Sequence, residues 1–271
     1  MTEKIRKIKT WMNKGGFPFE MKVAKAFKES GFKIGQSIMF KDSETDKYRE
    51  TDIIAHVSKE FEKVWFNLTF VIECKKTTDK PWIILKTDSK HQILKDNLPI
   101  IGSNNSKFLT SKIIQSDKFY SPLIFPDLTN YGYNIITAFS QNKDSAYSAT
   151  QSVLKATDYL VKKSNEMNNR FCNIYIPIIA IEGELYDGKL NNTNELELQE
   201  VNVSTVVSTK SFEEQNIRIL NIVTSKYLNE FSKKIKKECN IFYEKYEKEL
   251  KETAKTKPTN LKRSIYDNPF S

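Results

Sequence analysis

The apolar positions of the chain change period several times, and each change marks an element. Ile5, Ile8, Trp11 and Met12 fall at helical spacing before Asn13-Lys14-Gly15-Gly16 interrupts them. In FPFEMKVAKAFKESGF, Pro18 suits a first helical turn, Phe19, Val23 and Phe27 repeat at i, i+4 and i+8, and Gly31 stands where a C-terminal cap belongs. This predicts a helix from about 17 to 30. IGQSIMF and KYRETDIIAHV then alternate around the polar KDSETD, as the two strands of a β-hairpin do. SKEFEK reads as a further turn, and VWFNLTFVIECKK as a third strand.

Residues 83–144 show scattered turn residues and short apolar runs such as PWIIL and YNIITAF, which reads as an insertion carrying short strands. Ala146, Ala149, Val153, Ala156 and Leu160 then share one helical face. CNIYIPIIAIEG is a continuous β-branched run, the mark of a strand buried on both faces, and ELELQEVNVSTVV predicts another strand. From Glu213, the positions Ile217, Leu220, Leu228, Phe231, Ile235, Phe242 and Tyr246 trace one stripe, expected on a long helix or two broken ones. The predicted organisation is an α/β domain over 1–210, interrupted by the insertion at about 83–144. A basic C-terminal helical extension over 211–271 packs on it, with a loose tail.

Composition narrows the class. The chain has 271 residues, 39% of them hydrophobic and 12% aromatic, with only eight glycines, which describes a globular protein with a core of useful size. No run approaches the ~20 apolar residues of a membrane span, and the basic N-terminus lacks the apolar core of a signal peptide. Cys74, Cys172 and Cys239 have neither disulfide nor zinc spacing, so a cytoplasmic protein with no membrane partner is expected. The formal net charge is +9, and residues 226–263 hold 12 Lys/Arg against 6 Asp/Glu. Such an excess favours polyanions, nucleic acid first, although a lysine-rich solvated surface is the competing reading.

The third strand carries its apolar run straight into Glu73-Cys74-Lys75-Lys76. Residues i and i+2 of a strand share a face, so Glu73 and Lys75 point together and Cys74 points away. Asp52 interrupts the second strand just before Ile53-Ile54-Ala55. If those strands are antiparallel neighbours, Asp52 and Glu73 can lie side by side. Two such carboxylates repel unless a cation sits between them, and Mg2+ is typically held by one or two carboxylates while it keeps several waters.

Asp52, followed 21 residues later by Glu73-Cys74-Lys75, resembles the motif of the PD-(D/E)XK nuclease superfamily, the restriction-endonuclease-like fold. The element order helix, three antiparallel strands, helix, strand is similar too, over roughly residues 17–182. The resemblance implies a Mg2+-dependent endonuclease (Mn2+ as a substitute) that hydrolyses DNA in a bacterial restriction or antiviral defence system. It implies that Asp52, Glu73 and the backbone carbonyl of Cys74 bind metal, that Lys75 is catalytic, and that Glu20 on the first helix completes the site. A Gln on the second core helix, for which Gln151 is the match, serves some relatives. Thr51 stands where the motif has Pro. Three alternatives stay open: an RNA- or tRNA-cleaving enzyme of the same fold, a non-catalytic nucleic-acid-binding or assembly subunit, and a solvated strand end at Glu73 and Lys75. A homodimer or a partner defence protein are the further partners such a chain takes.

Overall fold

The computed structural model describes residues 2–87, 101–115, 124, 131–140, 144–166, 170–209 and 217–255. The N-terminal stripe folds as α1 (Glu3–Lys14), where the Thr2 hydroxyl accepts the Ile5 N–H. Phe19, Val23 and Phe27 are buried on α2 (Phe17–Glu29). Gly31 ends that helix at φ +87°, and the Phe32 N–H returns to the Phe27 carbonyl. The meander follows as β1 (Lys33–Lys41), β2 (Tyr48–Phe61) and β3 (Val64–Thr87), each antiparallel to the one before. The predicted SKEFEK turn is narrower than expected: β2 runs through Phe61, and only Glu62 and Lys63 turn, both at positive φ as a tight hairpin demands.

Beyond the meander lie β4 (Ile101–Gly102), α3 (Asn104–Gln115), β5 (Tyr131–Thr137), α4 (Ser145–Glu166) and β6 (Phe171–Leu190). The chain continues as β7 (Leu196–Glu200), β8 (Val203–Thr209), β9 (Ile217–Thr224), α5 (Leu228–Lys245) and α6 (Glu247–Lys255). β6 runs parallel to β3 from Trp65↔Phe171 to Thr77↔Gly183 and again from Trp82↔Leu185. One face of this sheet is covered by α2, α5 and α6 around Phe27, Phe70 and Phe231. The other face is covered by α4 around Val71, Trp82 and Ile179.

The element order helix, three antiparallel strands, helix, strand is therefore present in α2, β1–β3, α4 and β6, within a mixed α/β molecule. The sheet departs from the restriction-endonuclease-like expectation. The second halves of β3 and β6 are long enough to recruit further partners, and β3, β5, β8, β9 and β6 pair in turn into a closed five-stranded barrel. Closure needs very close backbones at Gly132, where a Cβ would fall 2.1 Å from the Ile84 side chain and 3.4 Å from the Thr205 carbonyl.

Three further readings shift with it. Ile217 and Leu220 belong to β9, because pairing with β6 and β8 overrides a spacing that also fits a helix. The segment after 210 thus supplies a barrel strand as well as helices, and β5 of the expected insertion supplies a barrel wall. Trp82 is fully buried within β3, which runs on past it, and donates its indole N–H to Ser145. The 256–271 tail lies outside the described residues. Among those described, no helix is long and apolar enough to cross a membrane.

Candidate active site

The two-residue turn at Glu62-Lys63 fixes what faces what. Counting nine residues out along each strand from Phe61↔Val64 places Asp52 opposite Glu73, one step beyond the last backbone pair, Ile53↔Ile72. There the ladder stops, and the Asp52 carboxylate takes its place by accepting the Cys74 N–H at 2.6 Å. Glu73 is 4% exposed and faces α4. One of its oxygens takes the Lys75 ammonium at 2.6 Å and the other takes the Ser152 hydroxyl at 2.9 Å. Cys74 faces the opposite way, into the core under α2. Glu20, half-buried in the first turn of α2, is close enough to feel Glu50, Lys75 and Glu73.

The electrostatics of this group are strained. Burial first, then the Glu73 and Glu20 charges, push Asp52 up to about 7 against the opposing pull of the Cys74 N–H. Burial and the Glu50 charge raise Glu20 as well. Burial works against the Lys75 ammonium, but Glu73 outweighs it and holds Lys75 above the ordinary lysine value. One lysine thus answers several acids, and the raised values of Asp52 and Glu20 are the consequence.

The oxygens that the site offers are two carboxylates and one carbonyl, the donor types that Mg2+ takes. The partner that Asp52 takes on Cys74 shows which edge of β3 is open there, and a strand residue presents its N–H and C=O to the same edge. The Cys74 carbonyl therefore aims to the side where Asp52 lies. Asp52, Glu73 and that carbonyl form an oxygen-only, open set that leaves several positions for water. Among the described residues no group of three or more His, Cys, Asp or Glu side chains is gathered to hold a metal ion, so Asp52, Glu73 and Glu20 do not come together as the three-acid set that the motif implies.

Other singled-out residues fall elsewhere. Gln151 lines a separate cleft with Tyr133 and Asn134, and the α4 residue that reaches the acids is its neighbour Ser152. Its signal was faint: a hydroxyl beside the Ala149–Val153–Ala156 stripe. Lys76 donates to the Asn13 carbonyl and tethers α1. His56 is buried, and burial with the Lys33 charge pushes it down to about 4, away from the acids; His91 lies outside the described residues. Cys74, Cys172 and Cys239 form no disulfide and are buried, as packing residues are. Three aromatic positions of the basic C-terminal segment do not face solvent. Phe242, Tyr243 and Tyr246 pack in the core, and the Tyr243 hydroxyl donates to the Val57 and Phe66 carbonyls. Compared with family models, with curated proteins and with solved structures, the chain finds no match.

Proposed function

We propose that the chain is a Mg2+-dependent nuclease that hydrolyses phosphodiester bonds in DNA, built on a restriction-endonuclease-like core of α2, β1–β3, α4 and β6 whose strands β3 and β6 continue into the barrel. The observation that carries this is the cross-strand placement of Asp52 and Glu73, with the Lys75 ammonium on Glu73. Asp52, Glu73 and the Cys74 carbonyl would hold the ion, with Glu20 nearby. When bound, Mg2+ would polarise the scissile phosphate and lower the pKa of a bound water. Ser152 fixes the rotamer of Glu73, and Glu73 in turn holds Lys75 charged. Lys75 then presents its ammonium to the attacking water or to the charge that develops on the phosphate. A role in restriction or antiviral defence belongs to the same proposal.

The test is cleavage of plasmid DNA with Mg2+ by wild type, Glu73→Ala and Lys75→Ala. Cleavage by the wild type and its loss in both variants is the expected result; equal activity in all three rejects this site. A second reading has its own observation, since Lys75 and Ser152 already satisfy both Glu73 oxygens, as in a purely structural ion pair. On that reading the chain is a non-catalytic nucleic-acid-binding subunit. Salt-dependent DNA binding without Mg2+-dependent cleavage would favour it.

A further inference from the structure

A cleft of about 570 Å3 opens between the start of β2, the β1–β2 turn and the C-terminal half of α4. Its two walls lead back to the acids. On β2, Tyr48, Glu50 and Asp52 share one face, so Tyr48 lies about 13 Å from Asp52 at ~3.3 Å per residue. On α4, Ser152, Lys155, Tyr159 and Lys162 follow each other at i+3 and i+4 spacing, so Tyr159 lies about 10 Å along the helix from the residue that touches Glu73.

The lining has two components. Tyr48 is 70% exposed, an unusual state for a large aromatic, and the Tyr159 ring is held in place by Phe40 at 6.1 Å between centroids. Around them stand Lys41, Lys162 and Lys163, all exposed. Lys41 pairs with Asp46 and Lys163 with Glu166, but exposed pairs of this kind contribute little and yield to a polyanion. The cleft's other acid, Asp158, is neutralised from outside by Arg218 of β9. Lys155 is spoken for: it pins the β1–β2 turn through Asp42 and Glu44 and so shapes the cleft.

We infer that this cleft is a binding track for a single-stranded polynucleotide segment leaving the acid site, with unstacked bases on Tyr48 and Tyr159 and phosphates on Lys41, Lys162 and Lys163. Aromatic faces accept any base once it is out of a duplex, and lysines beside them follow the backbone. The inference rests on the nuclease reading and adds to it that the substrate presents unpaired nucleotides next to the scissile bond. A base inside a duplex cannot reach a tyrosine in such a cleft.

The test separates binding from cleavage. Affinity of the full chain for a short fluorescein-labelled single-stranded oligodeoxynucleotide, and for the same oligonucleotide as a duplex, is measured by anisotropy in EDTA across a salt series. Tighter binding of the single strand is expected, with about a tenfold loss on Tyr48→Ala that the duplex does not show. The double change Lys162→Gln with Lys163→Gln is expected to flatten the salt dependence by about 1.4 in log–log slope, at about 0.7 for each phosphate. Equal binding of both forms, or single-strand binding indifferent to Tyr48 and to the lysine pair, overturns the track. Plasmid cleavage with Mg2+ is scored on its own. A chain that cleaves but ignores these substitutions loses the track and keeps the nuclease reading. One that binds single strands through Tyr48 without cleaving keeps the track and loses the reading of the acids.

Discussion

Replacing Asp52 by Asn should make the metal-free protein more stable. The carboxyl ordinarily titrates near 3.8 and is held here at about 7, because burial and the Glu73 and Glu20 charges disfavour its ionised form. A folded-state value above the unfolded one means that the group's stability contribution is fully present below about 3.8. It is lost as pH rises, and the loss is complete just above 7. At about 1.4 kcal/mol per pH unit the ceiling on that loss is roughly 4 kcal/mol. Water entry and small movements of Glu20 and Glu50 relieve part of it, so about 2 kcal/mol is the expected gain for Asp52→Asn at pH 8.5. The amide oxygen can still accept the Cys74 N–H, so the substitution removes charge and little else. Thermal unfolding in EDTA should show a melting point higher by about 4 to 8 °C at pH 8.5. The gain should shrink steadily toward pH 4. Mg2+ should stabilise the wild type and leave the variant nearly unmoved, since the ion relieves the same repulsion. A variant no more stable than wild type at pH 8.5, or a gain that does not depend on pH, refutes the claim that these acids are strained.

Two further substitutions probe the supports of the site. Ser152→Ala removes the hydroxyl on Glu73 and should cost about 1.5 to 3 kcal/mol in urea unfolding without metal, because the acceptor is a buried carboxylate, and less with Mg2+ present. Gly132→Ala forces a methyl against Ile84 and toward the Thr205 carbonyl and should cost about 1 to 3 kcal/mol by the same assay. Placing it in an Ile84→Ala background should give less than the sum of the two losses, and strict additivity would show that the contact is not the cause.

What was legible in the sequence was local. Phe19, Val23 and Phe27 gave α2 through their spacing, and β-alternation gave the meander. That Asp52 and Glu73 could lie side by side was legible, but their register was not, because it rests on a turn of only Glu62 and Lys63 where SKEFEK reads as a longer one. The barrel was not legible, because its closure rests on pairings between residues far apart, and Ile217–Leu220 satisfies helical and strand periods alike. Ser152 and Lys155 could not be picked out either. Each is an ordinary helix-surface residue until tertiary packing brings Glu73 to one and the buried Asp42 carboxylate to the other. Asp42 itself hides in a turn-rich stretch. Its carboxyl is held well below the usual range despite burial by hydrogen bonds from the Glu44 N–H, Thr45, Lys155 and Arg49. The docking of the C-terminal helices was legible in the stripe that Phe242 and Tyr246 share, and both are buried there.

Why an apolar strand should run into Glu73-Cys74-Lys75-Lys76 follows from a change of partner. Along one edge β3 is paired throughout with β6, apart from a shift between Thr77 and Trp82. Along the other it pairs with β2 only as far as Ile72 and with β5 only from Trp82 onward. Between those ladders neither strand pairs with it, although the Pro81 carbonyl accepts the Ala138 N–H just before the β5 ladder begins, and the chain uses the gap in three ways. Asp52 fills part of it by taking the Cys74 N–H. Pro81, which has no N–H to offer a neighbour, is tolerated there inside a long strand. Charged side chains can leave the core at this point without breaking a ladder. The β6 ladder fixes Glu73 and Lys75 on β3, and the Cys74 N–H holds Asp52 of β2 beside them even though the acids repel. A strand end at the rim of an ordinary sheet could present Glu73 and Lys75 to water, but it would let Asp52 swing away from them. Continuation of β3 past this point keeps Glu73 and Lys75 fixed beside Asp52, and the crowding of the acids is what raises Asp52.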